Sequence, residues 1–398
     1  MKTPKKWCLW RHKLIFTLLR PVIAPYVRLR YGVKVERFRD QGKRAYLIAM
    51  NHQTAYDQFL VAMSFRDPVY FIASDDLFSN GWIAKLLRFI VAPIPIKKQV
   101  TDIQAVKTCI KVAREGGTIA LAPEGNRTYD GRPVNINPAI GGLAKKLGLP
   151  LALYRIEGGY GVHPRWSDVV RKGPMRAYVS RVVEPEELAA LSANEVYELL
   201  CRELYVDDTK IEGEYPHPKN AEYLERAIYV CPKCGLSTFE SHGDTIECKC
   251  CGLKVRHRAD KRLEGIGEEF PFRFVADWYD YQRDFVTGLD LSAYHEQPAY
   301  EDLADIWNVI VCDHKELLER DAAVKLYGDR ITVGSRTFNF TEISTLTVLG
   351  RNKLNIYHGK DLYQLKSGKR FNALKYVNFY YRWKQTGSED TNGKFLGL

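Results

Sequence analysis

Two residues at the end of an apolar run could move a proton. In IAMNHQTAYDQF (48–59) the strand-like start gives way to Asn51-His52, and Asp57 follows five positions after the histidine. Imidazole titrates near neutrality, so a histidine can accept a proton without special tuning. A general base also needs its tautomer and ring plane fixed, and a carboxylate on the opposite nitrogen does both. On an ideal helix residues five apart diverge by about 140°. Contact becomes feasible if His52 is in the loop just before a helix and Asp57 is in its first turns. A second polar cluster, Pro123-Glu124-Gly125-Asn126-Arg127-Thr128, follows another apolar run. Its glycine lets backbone approach a ligand, and its arginine suits two-pronged anion binding. Lys97 and Lys98 end a third run and could add positive charge. A base, an orienting acid and an anion clamp together describe an enzyme that deprotonates a hydroxyl on a phosphate-bearing substrate.

A third cluster has metal-ligand spacing. Cys231-x-x-Cys234 and Cys248-x-x-Cys251 are separated by thirteen residues, and each pair is followed by glycine. Two such knuckles predict a zinc ribbon, with four thiolates in a tetrahedron and no open position for catalysis. Cys250 and His242 are competing ligands, but Gly252 favours Cys251. Rubredoxin-like iron and a redox-active cysteine pair are the alternatives. The metal's role would be structural, fastening a module too poor in core to fold alone. Cys8, Cys109, Cys201 and Cys312 have no partners in sequence and read as small hydrophobes. With no secretory signal, a disulfide framework is not expected and a reducing compartment is.

The elements that must position these residues follow from periodicity. AYLIAM (45–50), DPVYFIAS (67–74), TIALAPEGNRT (118–128), PLALYRIEG (150–158) and MRAYVSRVV (175–183) predict strands. LFSNGWIAKLLRFIVA (77–92), DIQAVKTCIKVAREGG (102–117) and SANEVYELLCRELY (192–205) predict helices, the second with Asp102 as N-cap. APIPIKK (92–98) predicts a short extended piece. Strands alternating with helices in this rhythm indicate an α/β domain over residues 45–210, with both polar clusters at strand ends, where ligands gather in such sheets. The zinc ribbon is expected over 226–257 and a partly helical connector over 258–319. Short β-rich runs with glycine turns, then one helix, fill 320–386 in the order of a small pleckstrin-homology-like barrel.

Charge is concentrated at one end. The net charge is +11, and residues 1–44 hold 13 Lys/Arg against Glu36 and Asp40, which leaves 46 of each sign in the remainder. A neutral body with a basic head is not the profile of a nucleic-acid binder. The head is also apolar and aromatic, but Arg20, Pro21 and Pro25 break its runs short of the roughly 20 residues that span a bilayer. A signal peptide is disfavoured by the same interruptions. The expectation is a basic amphipathic segment lying on the anionic cytoplasmic face of a membrane, with a helix packed on the protein's own core as the alternative.

NHQTAYD, APIPIKK, LAPEGNRT and LPLALYRIEG, in that order and spacing, resemble the four motif blocks of the glycerolipid acyltransferases, and most nearly the 1-acylglycerol-3-phosphate type. The resemblance covers roughly residues 15–210, and its specific blocks are H-x-x-x-x-D and P-E-G-x-R-[ST]. It implies that His52 is the general base and Asp57 its orienting partner. It also implies that Lys98, Glu124, Gly125, Asn126 and Arg127 bind the substrate phosphate. Two positions depart from the pattern: Lys98 stands where an arginine is usual, and Asn126 where a threonine is. The implied reaction moves a fatty acyl group from acyl-carrier protein or acyl-CoA to the free hydroxyl of lysophosphatidic acid, with no acyl-enzyme and no catalytic cofactor. Other lysophospholipid or glycolipid acceptors are alternatives, as is a non-catalytic scaffold on the membrane. A protein partner is the open reading for the C-terminal domains, and no nucleic-acid partner is expected.

Overall fold

The computed structural model describes residues 6–74, 81–96, 102–133, 135–310 and 314–386. They fall into two compact units, one drawn from residues 1–162 and 172–211, the other from 163–171 and 212–398.

The first unit is built on one sheet. In chain order it contains α1 (Trp10–Tyr31), β1 (Lys34–Val35), β2 (Leu47–Met50), α2 (Asp57–Ser64), β3 (Val69–Ser74), α3 (Gly81–Ile90), β4 (Ile94–Ile96) and α4 (Ile103–Arg114). It continues with β5 (Thr118–Leu121), α5 (Ala139–Leu147), β6 (Leu151–Glu157), α6 (Gly159–Val162), β7 (Arg176–Val183), α7 (Pro185–Ala190) and α8 (Ala193–Glu203). The strands lie in the order β1-β7-β6-β2-β5-β3-β4. All neighbours are parallel except β6 and β7. Every residue of β2 and β5 is buried. Their unbroken apolar runs are what a parallel sheet covered on both faces demands. One side of the core joins Leu47, Ile119 and Leu151 to Val112 of α4 and to Val196 and Leu200 of α8.

Local signals set the helix starts. The Asp102 carboxylate accepts the N–H groups of Gln104 and Ala105, both at 3.0 Å, and α8 begins with a reciprocal Ser192–Glu195 capping box. Such caps satisfy donors that the first helical turn leaves without partners. The basic head forms one 22-residue helix that runs through Pro21 and Pro25. No helix among the described residues is long and apolar enough to cross a membrane.

The second unit carries the cysteine module and the β-rich region. The module contains β8 (Val230–Cys231), β9 (Gly235–Leu236), β10 (Phe239–His242), β11 (Thr245–Cys248), β12 (Lys254–His257) and β13 (Leu263–Gly265). Then come α9 (Val275–Thr287), β14 (Tyr300–Val309), β15 (Lys315–Leu326), β16 (Arg330–Val333), β17 (Arg336–Asn339), β18 (Ile343–Leu349), β19 (Lys353–His358), β20 (Asp361–Lys366) and α10 (Leu374–Thr386). Strands β14–β20 form one antiparallel sheet in the order β17-β16-β15-β14-β20-β19-β18, and α10 follows them. The sheet begins at Tyr300, about twenty residues before the texture of the sequence changes. Glu301, Asp302 and Asp305 give β14 a polar composition, and register shifts beside Ile306 break its alternation, so its periodicity was masked. Buried polar side chains fasten the module to its surroundings. Gln282 of α9 donates to Ala227 O at 2.9 Å and accepts from Tyr229 N at 2.7 Å, while the buried Arg226 guanidinium donates to Trp166 O, Asp168 and Lys369 O.

Candidate active site and metal site

Parallel pairing brings the two polar clusters together. Ala49 of β2 is in register with Leu121 of β5, so both strands end at the same edge of the sheet. His52 lies in the loop after β2, and Asp57 is the first residue of α2, an arrangement in which residues five apart can meet. The His52 Nδ1 is 2.8 Å from Asp57 Oδ2; the ring is one-quarter exposed and the carboxylate is fully buried. Asp57 also accepts the N–H of Gln53 at 2.8 Å, that of Thr54 at 3.0 Å, and the Thr54 hydroxyl at 2.6 Å. Burying a carboxylate costs several kcal/mol. Hydrogen bonds to a charged group return about 1.5–3 kcal/mol each, so four donors offset that cost. The N-terminus of α2 favours negative charge as well. With the carboxylate as acceptor, Nδ1 carries the proton and the Nε2 lone pair is left for a substrate.

The second cluster touches the first through backbone. The His52 N–H donates to Glu124 Oε1 at 3.1 Å, and the Thr128 N–H donates to His52 O at 3.4 Å. Glu124 and Asn126 are buried, and Gly125 between them takes φ +70°, a left-handed conformation that glycine adopts without strain. Arg127 follows in the same turn. Strand β4 lies two places from β5 and ends at Ile96, and Lys98 beyond it falls outside the described residues.

The sequence analysis missed two side chains that hold His52 in place. Asn51 donates to Ile156 O at 2.8 Å and accepts from Ile156 N at 2.7 Å, so its amide prolongs the β2–β6 ladder by one step. Gln53 accepts the Tyr160 N–H at 2.8 Å. An amide directly after a fully buried strand is the signal that could have marked the first. The second depends on the turn after β6, which no local pattern reveals.

Residues 32–155 match the family model described as acyltransferase. That span is similar to acyltransferase domains. A curated relative, the 1-acyl-sn-glycerol-3-phosphate acyltransferase of Bacillus subtilis (strain 168), is 25% identical over 170 residues, which are 42% of this chain and 81% of that protein. A solved structure, the 1-acyl-sn-glycerophosphate acyltransferase of Thermotoga maritima, aligns over 48% of this chain and 90% of its own at 19% identity, with a TM-score of 0.37. The matched span of the acyltransferase model holds His52, Asp57 and the Glu124–Arg127 turn.

The second unit contains a four-thiol cluster. The Sγ atoms of Cys231, Cys234, Cys248 and Cys251 all lie within 4.8 Å of one another, with 3.6 Å between Cys231 and Cys251 and 3.5 Å between Cys234 and Cys248. A tetrahedron with metal–sulfur bonds of about 2.3 Å has edges of roughly 3.8 Å, so the donor set fits a single ion. Gly235 and Gly252 close the two knuckles with matching positive φ of +76° and +75°. Cys250 and His242, the competing ligands, stand outside the cluster and are exposed.

Proposed function

We propose that the first unit transfers a fatty acyl group to the free hydroxyl of lysophosphatidic acid, giving phosphatidic acid, with His52 as the general base. The observation that carries this reading is the 2.8 Å contact between His52 and a buried Asp57, joined through Glu124 to the Glu124–Arg127 turn. Asp57 holds the ring with Nε2 toward the acceptor. The hydroxyl proton passes to Nε2 as the oxygen forms a bond to the thioester carbonyl of acyl-carrier protein or acyl-CoA. The carbon–sulfur bond then breaks, and the thiolate takes the proton back from the imidazolium. Glu124, Gly125, Asn126 and Arg127, with Lys98, are assigned to the substrate phosphate; Arg127 supplies the planar fork that matches its oxygens.

The substrates of such an enzyme are membrane lipids, and one surface of the unit suits a lipid layer. Trp10, Leu14, Leu18 and Val22 recur every four residues along α1, and all are exposed, as are Trp82, Leu86 and Phe89 of α3. Arg11 of α1 stands 4.6 Å over the Phe89 ring, so the two helices are in contact. Exposed large apolar side chains repeated in this way suit a lipid layer, and the basic residues of the same helices complement anionic headgroups. We assign this face to the cytoplasmic surface of a membrane, bound peripherally. In the second unit the four cysteines would hold a structural zinc ion, which supplies folding energy and no chemistry.

The test is acyl transfer to lysophosphatidic acid from acyl-carrier protein or acyl-CoA, comparing wild type with His52→Ala. A wild-type rate that falls at least about 100-fold in the variant is the expected result. Transfer only to other lysolipids would change the acceptor and keep the base. Equal rates in both proteins would remove His52 from that role.

A further inference from the structure

A carboxylate late in the first unit sits where three loops meet. Asp208 is fully buried within the short turn Asp208–Lys210. Its Oδ1 accepts the N–H of Gly158 at 2.9 Å, and its Oδ2 accepts those of Tyr160 at 2.8 Å and Gly161 at 3.3 Å. Its own N–H donates to Gly131 O at 2.9 Å. One residue therefore holds both the turn after β6 and the loop that continues from Glu124–Arg127.

That turn is in contact with the catalytic loop. The Tyr160 N–H is shared between Asp208 and the side chain of Gln53, the residue directly after His52. At Gly159 a Cβ would lie 2.6 Å from Gln53 Cβ and 3.1 Å from Thr54 Cγ2, so α6 is pressed against residues 53–54 with no room for a side chain. Whatever fixes α6 also fixes the loop carrying His52. The choice of a carboxylate is informative as well. Filling this space needs no charge, and burying one is costly. Three converging backbone donors can be matched only by a group that accepts on both oxygens. An amide of the same shape would turn an N–H toward at least one of them.

We propose that Asp208 is a positioning residue for acyl transfer. It clamps the turn Gly158–Gly161 against Gln53, so that His52 keeps its angle to the acceptor hydroxyl. The inference rests on the general-base reading above. A displacement of about 1 Å in a catalytic group can cost roughly 100-fold in rate. Asp208→Asn is therefore expected to lower kcat by about 10- to 100-fold while KM stays within about two-fold, since no substrate contact is lost.

Hydrogen exchange on the same protein supplies a readout independent of activity. Amides of 156–162 and of 51–58 should exchange faster together in Asp208→Asn than in wild type. Unchanged kcat, or a loss confined to KM, would overturn the proposal, as would faster exchange in 156–162 alone. If Asp208→Asn does not fold, the wild type decides. Its Gly158, Tyr160 and Gly161 amides must be protected although α6 has only four residues, and exchange at the rate of an open loop would end the idea. A fully active His52→Ala protein would instead overturn the general-base reading, while the exchange data would still report whether the clamp exists.

Discussion

Two side chains make their own predictions. Asp57 must act as a hydrogen-bond acceptor, because the proton on His52 Nδ1 is donated to it. Asp57→Asn keeps the shape but offers an N–H to Nδ1, which would move the ring proton to Nε2 and, on the general-base reading proposed above, remove the base. We expect kcat to fall at least about 100-fold with KM little changed; a kcat equal to wild type would mean that the carboxylate does not set the tautomer. His257 must stay neutral. It lies buried on β12, edge-on to Trp166 at 5.8 Å, and neither ring nitrogen has a hydrogen-bond partner among the described residues. Burial, reinforced by the Arg171 guanidinium, pushes its pKa down to about 3. The unfolded chain takes up a proton near pH 6.5 that the folded chain refuses until about pH 3. Stability that is complete above 6.5 is therefore lost as pH falls through that window, by up to about 1.4 kcal/mol per pH unit. Replacing His257 by Phe should flatten the loss of unfolding free energy between pH 7 and pH 5, and parallel slopes in the two proteins would contradict this assignment.

Among the elements, α1 and α3 have the surface least suited to water. If they meet a bilayer, wild-type protein should sediment with vesicles containing anionic lipid, less with zwitterionic vesicles, and less again as salt rises. Replacing Trp10 and Trp82 by serine should weaken binding about ten-fold or more without lowering the thermal midpoint, since both side chains are already exposed. Binding unaffected by either salt or the substitutions would assign the face to something other than lipid. The sequence made much of this level legible. Buried strands such as β2 and β5 show as continuous apolar runs, and helices with a capping residue, such as Asp102 of α4, announce their starts. It concealed elements whose pattern is broken by function or irregularity, such as β14 with its acids and register shifts. At the site, His52 and Asp57 were readable because both lie within one motif. Asn51, Gln53 and Asp208 were not, because each acts on backbone more than 45 residues away.

Across the whole molecule, the cysteine module belongs to a unit with the β-rich sheet. Its folding and that of the sheet should therefore respond together to the metal. Metal analysis is expected to give one zinc per chain. A strong chelator, or Cys231→Ser, should lower the thermal midpoint of the second unit, because metal binding in such four-thiolate modules supplies on the order of 10 kcal/mol of folding energy. A midpoint that chelation leaves unmoved, with no metal found, would exclude a structural ion. The division of the chain also has a consequence in time. Residues 163–171 are made before the first unit is complete, yet they pack with the second. Arg165 donates to Val348 O at 2.9 Å and to Gly350 O at 3.1 Å, partners 183 and 185 residues further along. At a synthesis rate of about 5–20 residues per second, this segment waits roughly 10–40 s on the ribosome for them. Trp166, fully buried at the end, is meanwhile without its cover. Strand β7 of the first sheet follows this segment in the chain, so residues destined for the two units are synthesised in an interleaved order rather than one unit after the other.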